Sequence, residues 1–192
     1  MIGCRAVQRT RRSRARGYTL AELLTTIGFV SILGALAMYG IARWLRHSKT
    51  TEAIGSVTTI AQGACAYYDQ SDGNQPAGTR PDAAKAMRHF PPSSRASVPA
   101  DDADVRGKRF QSAIGDWSTS PWPEVGFKLP TAQYYAYSFE SSGSGPSAQA
   151  SAVAHGDLDG NGVKSTFRTT AAPDESLVAK VGKNIEEIDP DE

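Results

Sequence analysis

The sequence predicts an α+β protein in which one long N-terminal helix is followed by a small antiparallel sheet. Three observations predict it. No proline falls between Tyr18 and Gln70, and this stretch passes from an apolar run to an amphipathic pattern. A proline- and serine-rich connection then spans 71–104, and short alternating strand-like runs separated by glycine clusters occupy the rest.

The helix comes first. From Leu23 to Ala42 no residue is charged, and Arg43, Arg46 and His47 end the run. About 20 apolar residues in a helix match the roughly 30 Å hydrocarbon thickness of a bilayer. Beyond it, Ile54, Val57, Ala61, Ala64 and Tyr68 recur at three- and four-residue spacing, with Glu52, Ser56, Thr59 and Gln62 between them. This is an amphipathic helix with one apolar face. The two segments join into one helix over 18–70, about 53 residues and roughly 80 Å long. Gly28, Gly34, Gly40 and Gly55 lower its propensity but permit close helix–helix approach in apolar surroundings.

The helix is expected to end at the turn cluster Ser71-Asp72-Gly73-Asn74. Pro76, Pro81, Pro91, Pro92 and Pro99 mark an irregular connection with one short helix around Asp82–Arg88. Strand composition follows at Gln133–Phe139, Ala148–His155 and Val163–Thr169, broken by Ser142–Pro146 and Gly156–Gly162.

Charge is distributed unevenly over the 192 residues, whose net charge is +1. Residues 1–17 hold six arginines and no acid, whereas the rest holds 15 basic and 20 acidic residues. A basic arm beside an apolar run is a topology signal that leaves the N-terminus in the cytoplasm and the body outside it. Nucleic acid is not expected as a partner, because Arg106, Lys108 and Arg109 are only three charges on an acidic body. With two cysteines, Cys4 and Cys65, a disulfide-stapled scaffold is excluded once the arm is removed. His47, His89 and His155 lie apart and give no zinc ligand set.

A plain single-pass anchor explains the length and charge of the apolar run. A cleavable secretory signal is supported by the basic arm and by Ala35-Leu36-Ala37 as a small-residue cleavage site. Arg11-Arg12 raises a twin-arginine export signal, although Ser13-Arg14 follows where apolar residues are required. These alternatives leave Glu22 unexplained, since a charge at the head of such a run is costly.

The segment Gly17-Tyr18-Thr19-Leu20-Ala21-Glu22 resembles the prepilin peptidase site of type IV pilins and pseudopilins. That resemblance implies cleavage after Gly17 by a prepilin peptidase, N-methylation of Tyr18 and retention of the apolar helix. It also implies that Glu22 offsets the amine of a neighbouring subunit's Tyr18 during assembly. Tyr18 stands where phenylalanine is commoner, Ala21 replaces a larger aliphatic residue, and the leader, at 17 residues, is long. The family shares the order helix, loop, strands. The resemblance thus implies a leader over 1–17, a long helix over 18–70 with its membrane span at about 23–42, and a head over 71–192.

By resemblance, the chain is an inner-membrane precursor that becomes a structural subunit of a type IV pilus or related filament. Its partners are then other pilin subunits in a helical filament and the pilus or secretion assembly machinery. A pseudopilin of a type II secretion system is the nearest alternative. The long leader and the lack of a second body cysteine lean toward a minor or pseudopilin-like component. An exported or anchored binding domain is the alternative of another class.

Other chemistry is sparse. Asp157, Asp159 and Asn161, followed by Gly162, match the first half of a calcium loop. Its twelfth position is Arg168, a cation, so a complete loop is excluded; a looser calcium site and a plain hairpin turn remain open. Trp117, Trp122, Phe127 and the tyrosines at 134, 135 and 137 are expected to fill a small core rather than form an adhesive surface. No serine elbow, phosphate-cradling loop or catalytic His/carboxylate pair is present, so an enzyme is not expected.

Overall fold

A computed structural model describes residues 17–71 and 87–190. The basic leader, Cys4 and most of the expected short helix at Asp82–Arg88 lie outside the described residues. The chain divides into two compact units, Met1–Ile41 and Ala42–Glu192.

Helix α1 spans Leu20–Gln70, 51 residues without a proline. In the first unit its described side chains are exposed throughout. In the second unit it turns one face into the core: Ala53, Val57, Ile60, Ala61, Ala64, Cys65 and Tyr68 are buried. The apolar face differs slightly from the expected one. Ile60 is inside, while Ile54 sits at the margin. Ser56, expected on the polar side, is buried and Glu52 is half-buried, because the segment entering the first strand packs over that flank.

The sheet is antiparallel throughout and contains five strands: β1 Ala136–Ser142, β2 Gln149–Gly156, β3 Ser165–Pro173, β4 Ala179–Val181 and β5 Glu186–Ile188. β1, β2, β3 and β4 are neighbours in that order, and β5 also pairs with β3. Phe139, Ala152 and Thr169 lie opposite one another across the three long strands. On this inner face Tyr137, Phe139, Ala150, Ala152, Ala154, Phe167 and Ala171 join the helix residues in one core. Residues 94–98 run along the outer edge of β1. The Ser94 N–H donates to the Phe139 carbonyl, and Val98 and Tyr137 exchange backbone bonds of 2.8 and 3.0 Å. A bare strand edge is thereby covered.

The expected aromatic core is present except for Tyr134, which is half-buried at its margin. Trp117 and Trp122 meet edge to face with centroids 5.0 Å apart, and Phe127 lies 5.3 Å from Trp117 and 5.7 Å from Tyr137. The indole N–H of Trp117 donates to Ser112 Oγ at 2.8 Å. This layer seats on α1 at Gly63, where an added Cβ would lie 1.9 Å from the Val125 carbonyl oxygen. Only glycine permits that approach. Where α1 ends, Asp69 accepts from the Ala179 N–H and faces Arg88, whose guanidinium donates to the Leu177 carbonyl, so these two side chains tie the helix end to the strand β4 region.

Candidate functional site

The apolar half of α1 begins at a local hydrogen-bonded lock. Thr19 is the residue before the first helical turn. Its Oγ1 accepts the Glu22 N–H at 3.2 Å, while Glu22 Oε2 accepts from the Thr19 N–H and hydroxyl, each at 2.8 Å. This reciprocal pair is a capping box, which satisfies backbone donors that have no partner in the first turn. The signal Thr-x-x-Glu was legible in the sequence and supplies Glu22 with a structural role beside the one the resemblance implies. Gly17 and Tyr18 precede it without regular secondary structure: Tyr18 is 88% exposed, and a Cβ added at Gly17 would touch nothing within 4 Å.

From Leu23 to Ile41 the helix exposes Leu23, Leu24, Ile27, Phe29, Val30, Ile32, Leu33, Leu36, Met38, Tyr39 and Ile41. So large an unpartnered apolar surface marks an interaction site or a membrane segment. Its threonine and serine hydroxyls are satisfied within the helix. Thr25 and Thr26 donate to the Ala21 and Glu22 carbonyls, and Ser31 donates to the Ile27 carbonyl. This is a helix long and apolar enough to cross a membrane. Around Gly28, Gly34 and Gly40 there is open space in the isolated chain.

The Asp157–Gly162 segment is the connection between β2 and β3. Asp157 Oδ1 accepts the Gly160 N–H at 2.7 Å and Oδ2 accepts the Gly162 N–H at 2.9 Å; Arg106 Nε lies 3.5 Å from Oδ2. Asp159 accepts from the N–H and side-chain amide of Asn161, and Asn161 Oδ1 accepts the Val163 N–H. Gly160 and Gly162 have positive φ, +80° and +96°. These bonds build a tight turn in which the carboxylates serve the backbone. Among the described residues no group of three His, Cys, Asp or Glu side chains is placed to hold a metal ion. Arg168, at the twelfth position, faces Glu186 across the β3–β5 pair at 3.6 Å.

The three basic residues at 106–109 have separate partners. Arg106 faces Asp157, Lys108 faces Asp104 at 4.0 Å, and Arg109 lies over the ring of Tyr134 at 5.0 Å. Cys65 is a free, buried thiol, pushed up to about 11 by burial and secondarily by the neighbouring charge of Asp69.

Residue-pattern reasoning missed Glu52. On α1 it accepts the Tyr134 N–H at 2.9 Å and the Tyr137 hydroxyl at 3.3 Å. Burial raises its pKa above the ordinary carboxylate value, against the opposing pull of these hydrogen bonds and of the Arg109 charge. The Tyr137 hydroxyl is likewise pushed well up by burial and by the Glu52 charge. Lying on the polar side with Ser56 and Thr59, Glu52 carries no sequence signal of this contact.

No protein-family model matches the chain, and comparison with curated proteins and with solved structures finds no match.

Proposed function

We propose that this chain is a structural subunit of a type IV pilus or a related filament. It is made as a membrane precursor with its head outside the cytoplasm, cleaved after Gly17, methylated on Tyr18 and assembled through α1. The observation that carries the proposal is the join at residues 17–23: an open glycine–aromatic step, a capped helix start and one carboxylate heading an exposed apolar helix. A water-soluble monomer has no use for that surface, whereas a bilayer and then a bundle of like helices would cover it in turn. Within such a bundle a lone carboxylate is tolerated when paired, and the cleaved amine of a neighbouring Tyr18 is a suitable partner.

The proposal also explains why cleavage would come before the helix. A signal cut at Ala35-Leu36-Ala37 discards the capped start and most of the apolar surface, leaving Glu22 without a role in the mature protein. Cleavage after Gly17 keeps both. Gly17→Ala tests this: the precursor should accumulate uncut in membranes when expressed with a prepilin peptidase, as read by its mass. Normal processing of that variant would overturn the cleavage assignment.

A further inference from the structure

The second unit gathers cations just beyond the end of the apolar run. Lys49 Nζ stands 4.5 Å from the centre of the Tyr134 ring, and the Arg109 guanidinium stands 5.0 Å from the same ring. Arg109 is anchored by a 2.7 Å bond from Nη2 to the Ala132 carbonyl, so the fold brings it from 60 residues away to a fixed place beside α1. Arg46 lies one turn before Lys49, and its buried Nε–H has no hydrogen-bond partner among the described residues. No carboxylate among them approaches Lys49, Arg46 or Arg109 within ion-pairing distance. An acid close by is Glu52, whose Oε1 accepts from Tyr134 and Tyr137 and which feels the Arg109 charge at longer range. Lys49 and Arg109 are therefore held at one ring without a close ion pair, Arg109 feeling only the charge of Glu52, and Arg46 lies one turn away with its Nε–H unsatisfied.

Their position along the helix points to a further anion. At 1.5 Å per residue, Arg46 and Lys49 stand about 6 Å and about 10 Å beyond Ala42, where the uncharged run stops. The polar headgroup layer extends about 5–7 Å past the hydrocarbon on each side of a bilayer. Helical side chains lean toward the N-terminus, which brings the head groups of Arg46 and Lys49 nearer to that layer than their backbone positions are. Trp44, 67% exposed, and the exposed Leu45 lie at the same boundary, where aromatic rings favour the interface.

We propose that Arg46, Lys49 and Arg109 bind the phosphate of an anionic phospholipid headgroup and so hold the base of the head on the membrane before assembly. The inference rests on the membrane reading of α1. The full chain would be reconstituted into phosphatidylcholine vesicles with or without phosphatidylglycerol. It would then be treated with an amine-reactive reagent, with Lys49 labelling measured by mass spectrometry against exposed Lys128. A basic side chain near an anionic surface contributes about fivefold in affinity. Phosphatidylglycerol should accordingly lower Lys49 labelling by about fivefold or more, and high salt should restore it. Arg109→Gln and Arg46→Gln should each weaken the protection, whereas Arg109→Lys should retain most of it. Equal Lys49 labelling in both floated vesicle preparations would overturn the inference while leaving the membrane reading intact. Equal protection by inorganic phosphate alone would overturn the lipid assignment. Failure of the chain to float with either vesicle would overturn the membrane reading and this inference together.

Discussion

Glu52 joins α1 to the strand side of the head through the Tyr134 N–H and the Tyr137 hydroxyl, and burial lifts its pKa. Its folded value exceeds the unfolded one, so the folded state holds this proton more tightly. The stabilisation from that protonated form is complete below the ordinary value of 4.5 and is lost as pH rises through the folded value. Glu52→Gln retains an acceptor for Tyr134 and cannot ionise. Its urea midpoint should therefore gain on the wild type as pH rises from below the ordinary carboxylate value to neutrality. A difference that stays flat with pH would contradict this account. Glu22 separates in the same manner into a hydrogen-bonding part and a charge. Glu22→Gln keeps the capping box with Thr19, because glutamine serves at that position, but removes the charge. If pairing with a neighbour's amine drives assembly, Glu22→Gln and Glu22→Ala should both be processed and should both fail to enter filaments. Filament entry by Glu22→Gln at the wild-type level would leave capping as the sole role of Glu22.

Within α1, two glycines with the same helix propensity have opposite surroundings. Gly55 has nothing within 4 Å of an added Cβ, whereas at Gly63 that atom would collide with the Val125 backbone. Gly55→Ala should stabilise the head by about 1 kcal/mol, the usual propensity gain. Gly63→Ala should lose more than that gain, with a net destabilisation of about 1–3 kcal/mol from overpacking against backbone. Thermal or urea denaturation of the two variants measures both. The contrast also shows what the sequence conveys about elements. α1 was legible because its period repeats several times, and the three long strands from their composition and the glycine clusters between them, although β1 at Ala136–Ser142 lies three residues beyond the expected run Gln133–Phe139. β4 and β5 have three residues each, too few for a period to show, and they exist through pairing with β3. Gly63 could not be singled out because its constraint comes from Val125, 62 positions away. Glu52 was misplaced for the same reason, since Tyr134 and Tyr137 arrive from the far side of the head.

At the scale of the whole molecule, a well-packed second unit follows a first unit whose apolar helix has no packing partner within the described residues. Burial in the second unit is achieved by the helix face, the inner side of the sheet and the Trp117–Trp122–Phe127 layer, without a disulfide among the described residues. The described part of the first unit instead leaves its apolar helix exposed. The uncharged run at Leu23–Ala42 was legible in the sequence, whereas the expected head over 71–192 begins later than the second unit, which also takes in the helix from Ala42. The glycine–aromatic step and the acid heading the run were legible too, but only as a resemblance, because nothing in a single chain displays the enzyme that would cut it or the neighbour that would receive it. The central claim is that the mature protein keeps its whole apolar helix and begins at Tyr18. Mass spectrometry of the N-terminal peptide of the protein from its native membranes or filaments tests this most directly. The account predicts a peptide that begins at N-methylated Tyr18. A chain beginning at Met38, or one still carrying its uncut leader, would contradict it.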